Sequence, residues 1–132
     1  HRLWSVLEHA RLQPQCVAEM SSTDLAPLTL QLAAWGGSVA DDEVLTLPWL
    51  TPPPAASLAM ARALLLGLGA LETRGGAGGK SGAMTKPVTI TPHGTSLAAL
   101  PTHPRLAHIL LDAANAGGAA LDVACAAVAV IE

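Results

Sequence analysis

The chain has 132 residues, of which 51% are hydrophobic and 13% are charged, and its formal net charge is −3. This length fits one compact domain, or one small domain with part of another, and the composition excludes intrinsic disorder and the strongly basic character of a typical nucleic-acid-binding domain. Phe and Tyr are absent and only three Trp are present, so aliphatic side chains must form the core, which favours packed helices over a large sheet.

The ends of the chain, its apolar runs and its cysteines indicate whether it is part of a longer protein and where that protein is located. It begins at His1 and ends at Glu132 directly after an apolar run, so we expect both ends to continue in a longer protein. No secretory signal is visible and no apolar run is long enough to span a bilayer, which predicts a cytoplasmic protein, or a stromal one in a eukaryotic organelle, without a membrane partner. Cys16 and Cys125 have no CxxC or CxxH neighbour and are expected to be buried, reduced thiols.

The first half of the chain predicts two helices. Residues 1–4 read as the end of a strand, and a polar connector follows through Gln15. Asp24 is a suitable N-cap for a helix that has Pro27 in its first turn and ends before Gly36. The apolar face expected for this helix consists of Leu25, Leu28, Leu32 and Trp35. An acidic loop, residues 41–43, separates it from a proline-initiated second helix with an inward face of Leu58, Ala61, Leu65 and Leu68, capped by Gly69.

The second half predicts a hairpin and three further helices. Residues 70–72 and 88–90 read as short strands joined by the Gly-rich segment 73–87, here called the wing. Thr91 with Pro92 begins a helix that reaches about residue 100. Thr102 is expected to cap the next helix, with Leu106, Ile109, Leu110 and Ala113 inward, and an apolar helix covers 120–131. The order helix, helix, hairpin is that of a winged-helix domain, and a second helical unit begins at Pro101.

The wing contains GGAGGKSG, which superficially matches a phosphate-binding loop. Such a loop needs a glycine five residues before the Gly-Lys-Ser, because that length lets successive N–H groups wrap the phosphates. Arg74 occupies the position where that glycine is required, and Pro87 disfavours the helix that should follow the loop. The sequence therefore predicts a long loop without nucleotide-binding function.

Basic residues indicate where a phosphate backbone would bind. Residues 51–100 hold four of the seven Lys and Arg residues against a single acid, Glu72. The candidate nucleic-acid backbone contacts are Arg74, Lys80, Lys86 and Arg105. In the helix before the wing, Arg62 is the only side chain suited to reading bases, so we expect an apolar, buried helix that does not read DNA.

No catalytic, cofactor-binding or metal-binding residues are predicted within the chain. His103 and His108 are five residues apart and His93 lies farther back, so their spacing does not place two metal ligands on one helical face. No Cys–His or Ser–His–Asp arrangement follows from spacing either.

Five motifs in order resemble DEAH-box ATP-dependent RNA helicases, most closely the bacterial HrpB type. The similar segments are residues 22–36, 50–54, 68–72, 91–94 and 100–107, and His1-Arg2-Leu3-Trp4 resembles the strand that closes the second RecA-like domain of that family. Two departures lie within the chain: Thr51 stands where the family has an acidic residue, and the wing is longer than the family pattern.

The resemblance implies a division of the chain into three parts. Residues 1–15 would be the tail of the second RecA-like domain and a connector, residues 16–100 a winged-helix domain with the wing inserted at 73–87, and residues 101–132 the first helices of a helical-bundle ratchet domain. The ATPase motifs, with their ATP and Mg²⁺, would then lie before His1.

The expected function is that of a C-terminal accessory segment in an ATP-dependent RNA helicase. It would be a structural hub between the ATPase motor and the RNA-enclosing ratchet domain, not catalytic by itself, and it would contact single-stranded RNA weakly. Its main partners would be the RecA-like domains and the rest of the ratchet domain. The alternative is a free-standing winged-helix module that binds DNA or a protein partner.

Overall fold

The structure is a computed structural model that describes residues 3–13, 15–36, 39, 41–73 and 88–131. In these ranges the fold is mainly helical with one small antiparallel sheet, as the composition predicts. The elements in chain order are α1 Val6–Arg11, α2 Ala26–Ala34, α3 Asp41–Thr46, α4 Ala55–Gly67, β1 Leu71–Thr73, β2 Val88–Ile90, α5 Pro92–Ala98, α6 Pro104–Ala116 and α7 Gly118–Ile131.

The start of the chain differs from its prediction. Leu3 and Trp4 form a bend instead of a strand, and the expected polar connector contains helix α1. A capping box begins this helix: the Ser5 hydroxyl accepts a hydrogen bond from the Glu8 amide, and the Glu8 carboxylate accepts one from the Ser5 amide. Hydrogen bonds that the Ser5 amide and the Ser5 hydroxyl donate to the Glu8 carboxylate lower the pKa of that carboxyl. The Ser5 and Glu8 spacing of this capping box is visible in the sequence, but the prediction of a polar connector did not take it into account.

Helix α2 begins and ends close to its prediction, and most of its predicted apolar face is covered. The Asp24 carboxylate accepts a hydrogen bond from the Ala26 amide at 2.8 Å, and Gly36 ends the helix with a positive φ of 82°. Leu25 is buried and Leu28 and Leu32 pack half-buried against the core, whereas the prediction is wrong for Trp35, which is 82% exposed. The buried residues within the helix are Ala26, Thr29, Leu30 and Ala33.

The predicted acidic loop is the first turn of helix α3. The helix buries Val44, whose carbonyl oxygen accepts a 2.7 Å hydrogen bond from the Trp49 indole. This bond anchors the proline-rich segment that leads into α4.

Helix α4 buries the predicted residues Leu58, Ala61 and Leu65. The expectation that most of its surface is covered is wrong, because its remaining faces carry exposed alanines and Met60, which is 74% exposed. Gly69 follows the helix with a φ of 67°, and this left-handed conformation turns the chain into β1.

The two strands pair antiparallel, with Leu71 opposite Ile90 and Thr73 opposite Val88. Strand β2 has the predicted bounds, and β1 lies one residue later than predicted. All but the first residue of the wing, residues 74–87, lie outside the described ranges.

Thr91 and Gly94 lock α5 onto the turn between α4 and β1. The Thr91 amide donates to the Ala70 carbonyl at 3.0 Å, and its hydroxyl donates to the Gly69 carbonyl at 2.7 Å. The same hydroxyl accepts a hydrogen bond from the Gly94 amide and so caps α5, as predicted. A Cβ atom at Gly94 would clash with the Ala70 carbonyl oxygen and lie 2.8 Å from Cγ1 of Ile90.

Helices α6 and α7 pack against each other, and α6 also contacts α2 and α5. Of the predicted inward residues of α6, Leu106, Leu110 and Ala113 are half-buried, and the prediction is wrong for Ile109, which is exposed. The fully buried residues are Pro104 and Ala107. The N-cap is His103 instead of Thr102. Gly117, with a φ of 123°, separates the two helices, and α7 begins two residues earlier than expected.

Two apolar clusters form the core. The larger joins α2, α4, the hairpin, α5 and α6 and contains Leu30, Ala33, Val39, Leu65, Ala70, Leu71, Val88, Leu97 and Ala107. The smaller joins α2, α3 and α4 and contains Leu25, Ala26, Val44, Leu58 and Ala61. Cys16 and Cys125 belong to neither cluster, because both are exposed free thiols, which corrects the expectation that they are buried.

We predict that Gly94→Ala destabilises the fold by about 3 kcal/mol, since the new Cβ forces backbone atoms of α5 and Ala70 apart. The measurement is the free energy of unfolding in urea. The matched control is Gly67→Ala in α4, where a Cβ meets nothing within 4 Å and helix propensity favours Ala by up to about 1 kcal/mol. Equal stability of the two variants would contradict the close approach described above.

Candidate nucleic-acid interface

Arg105 is the one predicted backbone contact whose position the structure describes. Arg74, Lys80 and Lys86 lie outside the described residues. Arg105 is exposed in the first turn of α6, where the positive end of the helix dipole adds to the potential of its guanidinium. A cation in this position is costly for the helix but is well placed to meet an anion from solution.

The Arg105 side chain lines a surface cavity of about 340 Å³ between the start of α2, helix α4 and the start of α6. The lining of this cavity combines hydroxyl groups with apolar side chains. The lining residues are Ser22, Thr23, Asp24, Leu25, Ser57, Met60, Ala61, Leu64 and Arg105. Hydroxyls and a guanidinium are donors that phosphate oxygens accept, so the donor set is compatible with contact to a nucleic-acid backbone.

The Asp24 carboxylate reduces the positive electrostatic potential of this cavity and contacts the N-termini of α2 and α6. Its Oδ1 accepts the Ala26 amide of α2, and its Oδ2 lies 3.2 Å from Nε2 of His103. Nδ1 of His103 in turn accepts a hydrogen bond from the Arg105 amide at 3.2 Å. The carboxylate therefore joins the N-termini of α2 and α6, and it offsets part of the charge of Arg105.

A second polar cluster, at the contact between α5 and α6, was missed by the sequence reasoning. Nε2 of His93 lies 2.9 Å from Nδ1 of His108, and the rings meet edge to face with centroids 5.1 Å apart. Nε2 of His108 lies 3.4 Å from Oδ2 of Asp112, one turn later on α6. The sequence signal was present in the i, i+4 spacing of His108 and Asp112, but only the fold brings His93 to them.

The described residues contain no group of three or more His, Cys, Asp or Glu that is suited to hold a metal ion. The cause is visible at His108, because its two ring nitrogens face different neighbours, so one ion cannot be bound by His93, His108 and Asp112 together. His103, five residues earlier, faces Asp24 instead.

Arg62, the only candidate for reading bases, is partly buried in α4. Burial lowers the pKa of its guanidinium, although arginine keeps its charge in proteins. That α4 does not read DNA stays a prediction. In the part of the chain that the structure describes, no helix has the length and apolar character needed to cross a membrane.

Comparison with known proteins relates the chain to one class of enzyme. No protein-family model matches the sequence. The chain is 34% identical over 117 residues to the probable ATP-dependent RNA helicase DHX35 of Homo sapiens, covering 89% of this chain and 14% of that protein. It is 32% identical over 118 residues to the ATP-dependent RNA helicase HrpB of Escherichia coli, covering 89% of this chain and 12% of that protein.

A solved structure agrees with these relatives. The crystal structure of the E. coli DExH-box NTPase HrpB matches with a TM-score of 0.56 and 30% sequence identity, over 83% of this chain and 11% of that one. The chain therefore spans roughly one eighth of the length of the proteins it matches. The homologues are ATP-dependent RNA helicases, which confirms the resemblance drawn from the motifs.

We predict that Asp24→Ala destabilises the fold by about 1 kcal/mol, because the Ala26 amide loses its cap and His103 loses its partner. Asp24→Asn is the control, since its amide oxygen still accepts the Ala26 hydrogen bond without the negative charge. Urea denaturation of both variants tests the role of the carboxylate. A loss as large in Asp24→Asn would show that the contact of Oδ2 with His103, and not the cap on the Ala26 amide, is what Asp24 contributes.

Proposed function

Because the chain is homologous to a segment of ATP-dependent RNA helicases, we propose that it is an accessory segment of such an enzyme, a structural hub between the ATPase motor and the RNA-enclosing ratchet domain. The observation that carries this proposal is sequence similarity over 89% of the chain to proteins named as ATP-dependent RNA helicases. The structural match to HrpB supports it independently of the motifs.

The proposed domain division follows the order of the elements. Helices α2, α3 and α4 precede the β1–β2 hairpin, which supports a winged-helix domain over residues 16–100 with the wing at 73–87. Helices α6 and α7 would begin the ratchet domain over residues 101–132. Residues 1–15, with helix α1, would belong to the end of the second RecA-like domain and its connector.

Exposed apolar side chains support the proposal that other domains of the parent enzyme cover parts of this segment. Between residues 3 and 17 the exposed ones are Leu3, Trp4, Val6, Leu7, Leu12 and Val17, and on α6 and α7 they are Ile109, Val123, Val130 and Ile131. Apolar surfaces of this kind commonly mark sites that contact another protein surface. They lie at the two regions where the proposal places the motor and the rest of the ratchet.

The parent enzyme would hydrolyse ATP with Mg²⁺ in its RecA-like domains, and this segment would contribute no catalytic residue. The wing sequence supports this division, because Arg74 stands where a phosphate-binding loop needs glycine. RNA would be contacted weakly through its phosphates by Arg105 and by the wing residues Arg74, Lys80 and Lys86.

The first prediction from this proposal concerns nucleotide. Isothermal titration of the chain with ATP and Mg²⁺ is expected to give no saturable heat, because Arg74 stands where a phosphate-binding loop needs glycine. Lys80→Ala is expected to behave in the same way. Saturable ATP binding that Lys80→Ala abolishes would overturn the assignment of the motor to other domains.

The second prediction concerns RNA. Fluorescence anisotropy with single-stranded RNA is expected to show weak binding that falls steeply with salt, since phosphate contacts release counterions. Arg105→Ala should weaken this binding and reduce the magnitude of the log–log salt slope by about 1. Arg11→Ala is the control, because Arg11 is an exposed arginine on α1, outside the cavity. Tight, sequence-selective binding to duplex DNA would instead favour a free-standing winged-helix module.

A further inference from the structure

The cavity between the start of α2, helix α4 and the start of α6 has a cation and a carboxylate in its lining that do not contact each other. Arg105 comes from the first turn of α6, and Asp24 comes from the N-terminus of α2. The Asp24 carboxylate contacts the His103 ring at 3.2 Å and forms no ion pair with Arg105. Within the described ranges the Arg105 guanidinium has no hydrogen-bond or ion-pair partner. Two opposite charges on separate elements therefore line one cavity, and the cation is free to bind an anion.

Two hydroxyl groups in the same lining also lack a partner. In the part of the chain that the structure describes, no hydrogen bond involves the hydroxyl of Thr23, just before α2, or that of Ser57, in the first turn of α4. A hydroxyl donates one hydrogen bond, and a guanidinium offers five N–H groups. The lining thus contributes several unused donors, which is what the oxygens of a phosphate require.

The Asp24 carboxylate is the acceptor of the lining and has capacity for a further hydrogen bond. Its Oδ1 accepts the Ala26 amide at 2.8 Å, and its Oδ2 lies 3.2 Å from Nε2 of His103. Each carboxylate oxygen has two lone-pair positions, and the Asp24 side chain is 50% exposed. A hydroxyl group of a bound ligand can therefore donate to Asp24 without displacing either contact.

The apolar part of the lining is suited to the ring of a ligand. Met60 is 74% exposed, Leu64 is half-buried, and Leu25 and Ala61 are buried beneath the surface of the cavity. On α4, Met60 is the one large apolar side chain that is mostly exposed. These side chains can contact a sugar or the face of a base, but they form no hydrogen bonds that distinguish one base from another.

A nucleotide unit of RNA has the groups that this lining complements. Its phosphodiester carries a single negative charge, and the adjacent ribose has a 2′-hydroxyl that donates hydrogen bonds. A terminal phosphate carries up to about two negative charges, and the Asp24 carboxylate disfavours the second one. The volume of about 340 Å³ is near the lower end of the roughly 300–1,000 Å³ found for small-molecule pockets, which is enough for a single nucleotide and too small for a duplex.

We propose that this cavity binds one nucleotide of single-stranded RNA and selects ribose over deoxyribose, an inference that rests on the proposed function of the chain in an RNA helicase. Arg105, Thr23 and Ser57 donate hydrogen bonds to the phosphodiester, and Asp24 accepts one from the 2′-hydroxyl. Met60 contacts the sugar and base. In DNA the 2′-hydroxyl is missing, so a partly desolvated carboxylate faces the sugar without a hydrogen bond, which is costly.

The test is fluorescence anisotropy of the chain at low salt with three probes of equal length: oligouridine, oligodeoxyuridine and 2′-O-methyl oligouridine. Oligouridine is expected to bind about tenfold more tightly than the other two, since only it has the hydroxyl that donates to Asp24 and one hydrogen bond to a charged group has about this effect. Free uridine monophosphate should compete poorly, because its terminal phosphate has the second charge.

Two variants separate the sugar contact from the phosphate contact. Asp24→Ser keeps a side-chain oxygen that caps α2 but removes the carboxylate, so the ratio of RNA to DNA affinity should fall to about 1. Arg105→Ala should weaken both affinities and keep the ratio. The matched control is Asp122→Ser, which removes an exposed carboxylate on α7, outside the cavity, and should leave the ratio unchanged.

Amide chemical shifts measured by NMR locate the bound RNA, and changes at Thr23, Ser57 and Arg105 are expected. Equal affinity of the unmodified chain for RNA and DNA would overturn this inference and leave the phosphate contacts of the proposed function standing. No binding to either nucleic acid at low salt would overturn both. Shift changes confined to residues outside the cavity would overturn the inference alone and leave the cavity as a contact for another domain of the parent enzyme.

Discussion

The backbone contact between Gly94 and Ala70 is the constraint on which the rest of the arrangement depends. It brings the first turn of α5 against the end of α4, closer than any side chain would allow. Thr91 holds the two chain segments together with hydrogen bonds to the Gly69 and Ala70 carbonyls. Because α5 is fixed there, Leu97 reaches the larger core cluster and the chain emerges where α6 can pack on α2 and α5.

Helix α6 in turn is held by apolar and by polar contacts. It buries Pro104 and Ala107, and Leu111 packs half-buried against the larger core cluster. Asp24 and His93 reach it from the N-terminus of α2 and from α5, and both contacts involve a histidine. The last helical pair is thus attached to an aliphatic core through α6, with two histidine contacts beside its apolar face.

The sequence predicted the parts of this fold whose signals are local. Thr91 followed by Pro92 fixed the start of α5, and Gly69 marked the turn into the hairpin, because each depends on the backbone of a few residues. The predicted leucines of α2 and α6 are buried or half-buried, but the prediction missed Ala26, Ala33 and Ala107, which are almost fully buried. The contact between His93 and His108 joins residues fifteen positions apart and required the packing of α5 on α6. Of the predicted phosphate contacts, only the surroundings of Arg105 are described.

The pairing of Thr73 with Val88 has a consequence for how this region changes over evolution. The two residues are direct partners in the hairpin, so the segment of fourteen residues between them is attached to the fold at two adjacent positions. The entropy of closing such a loop grows only with the logarithm of its length, and doubling the length costs about 0.6 kcal/mol. Insertions and deletions at this point therefore change the free energy of folding little, and related chains are free to differ here in length.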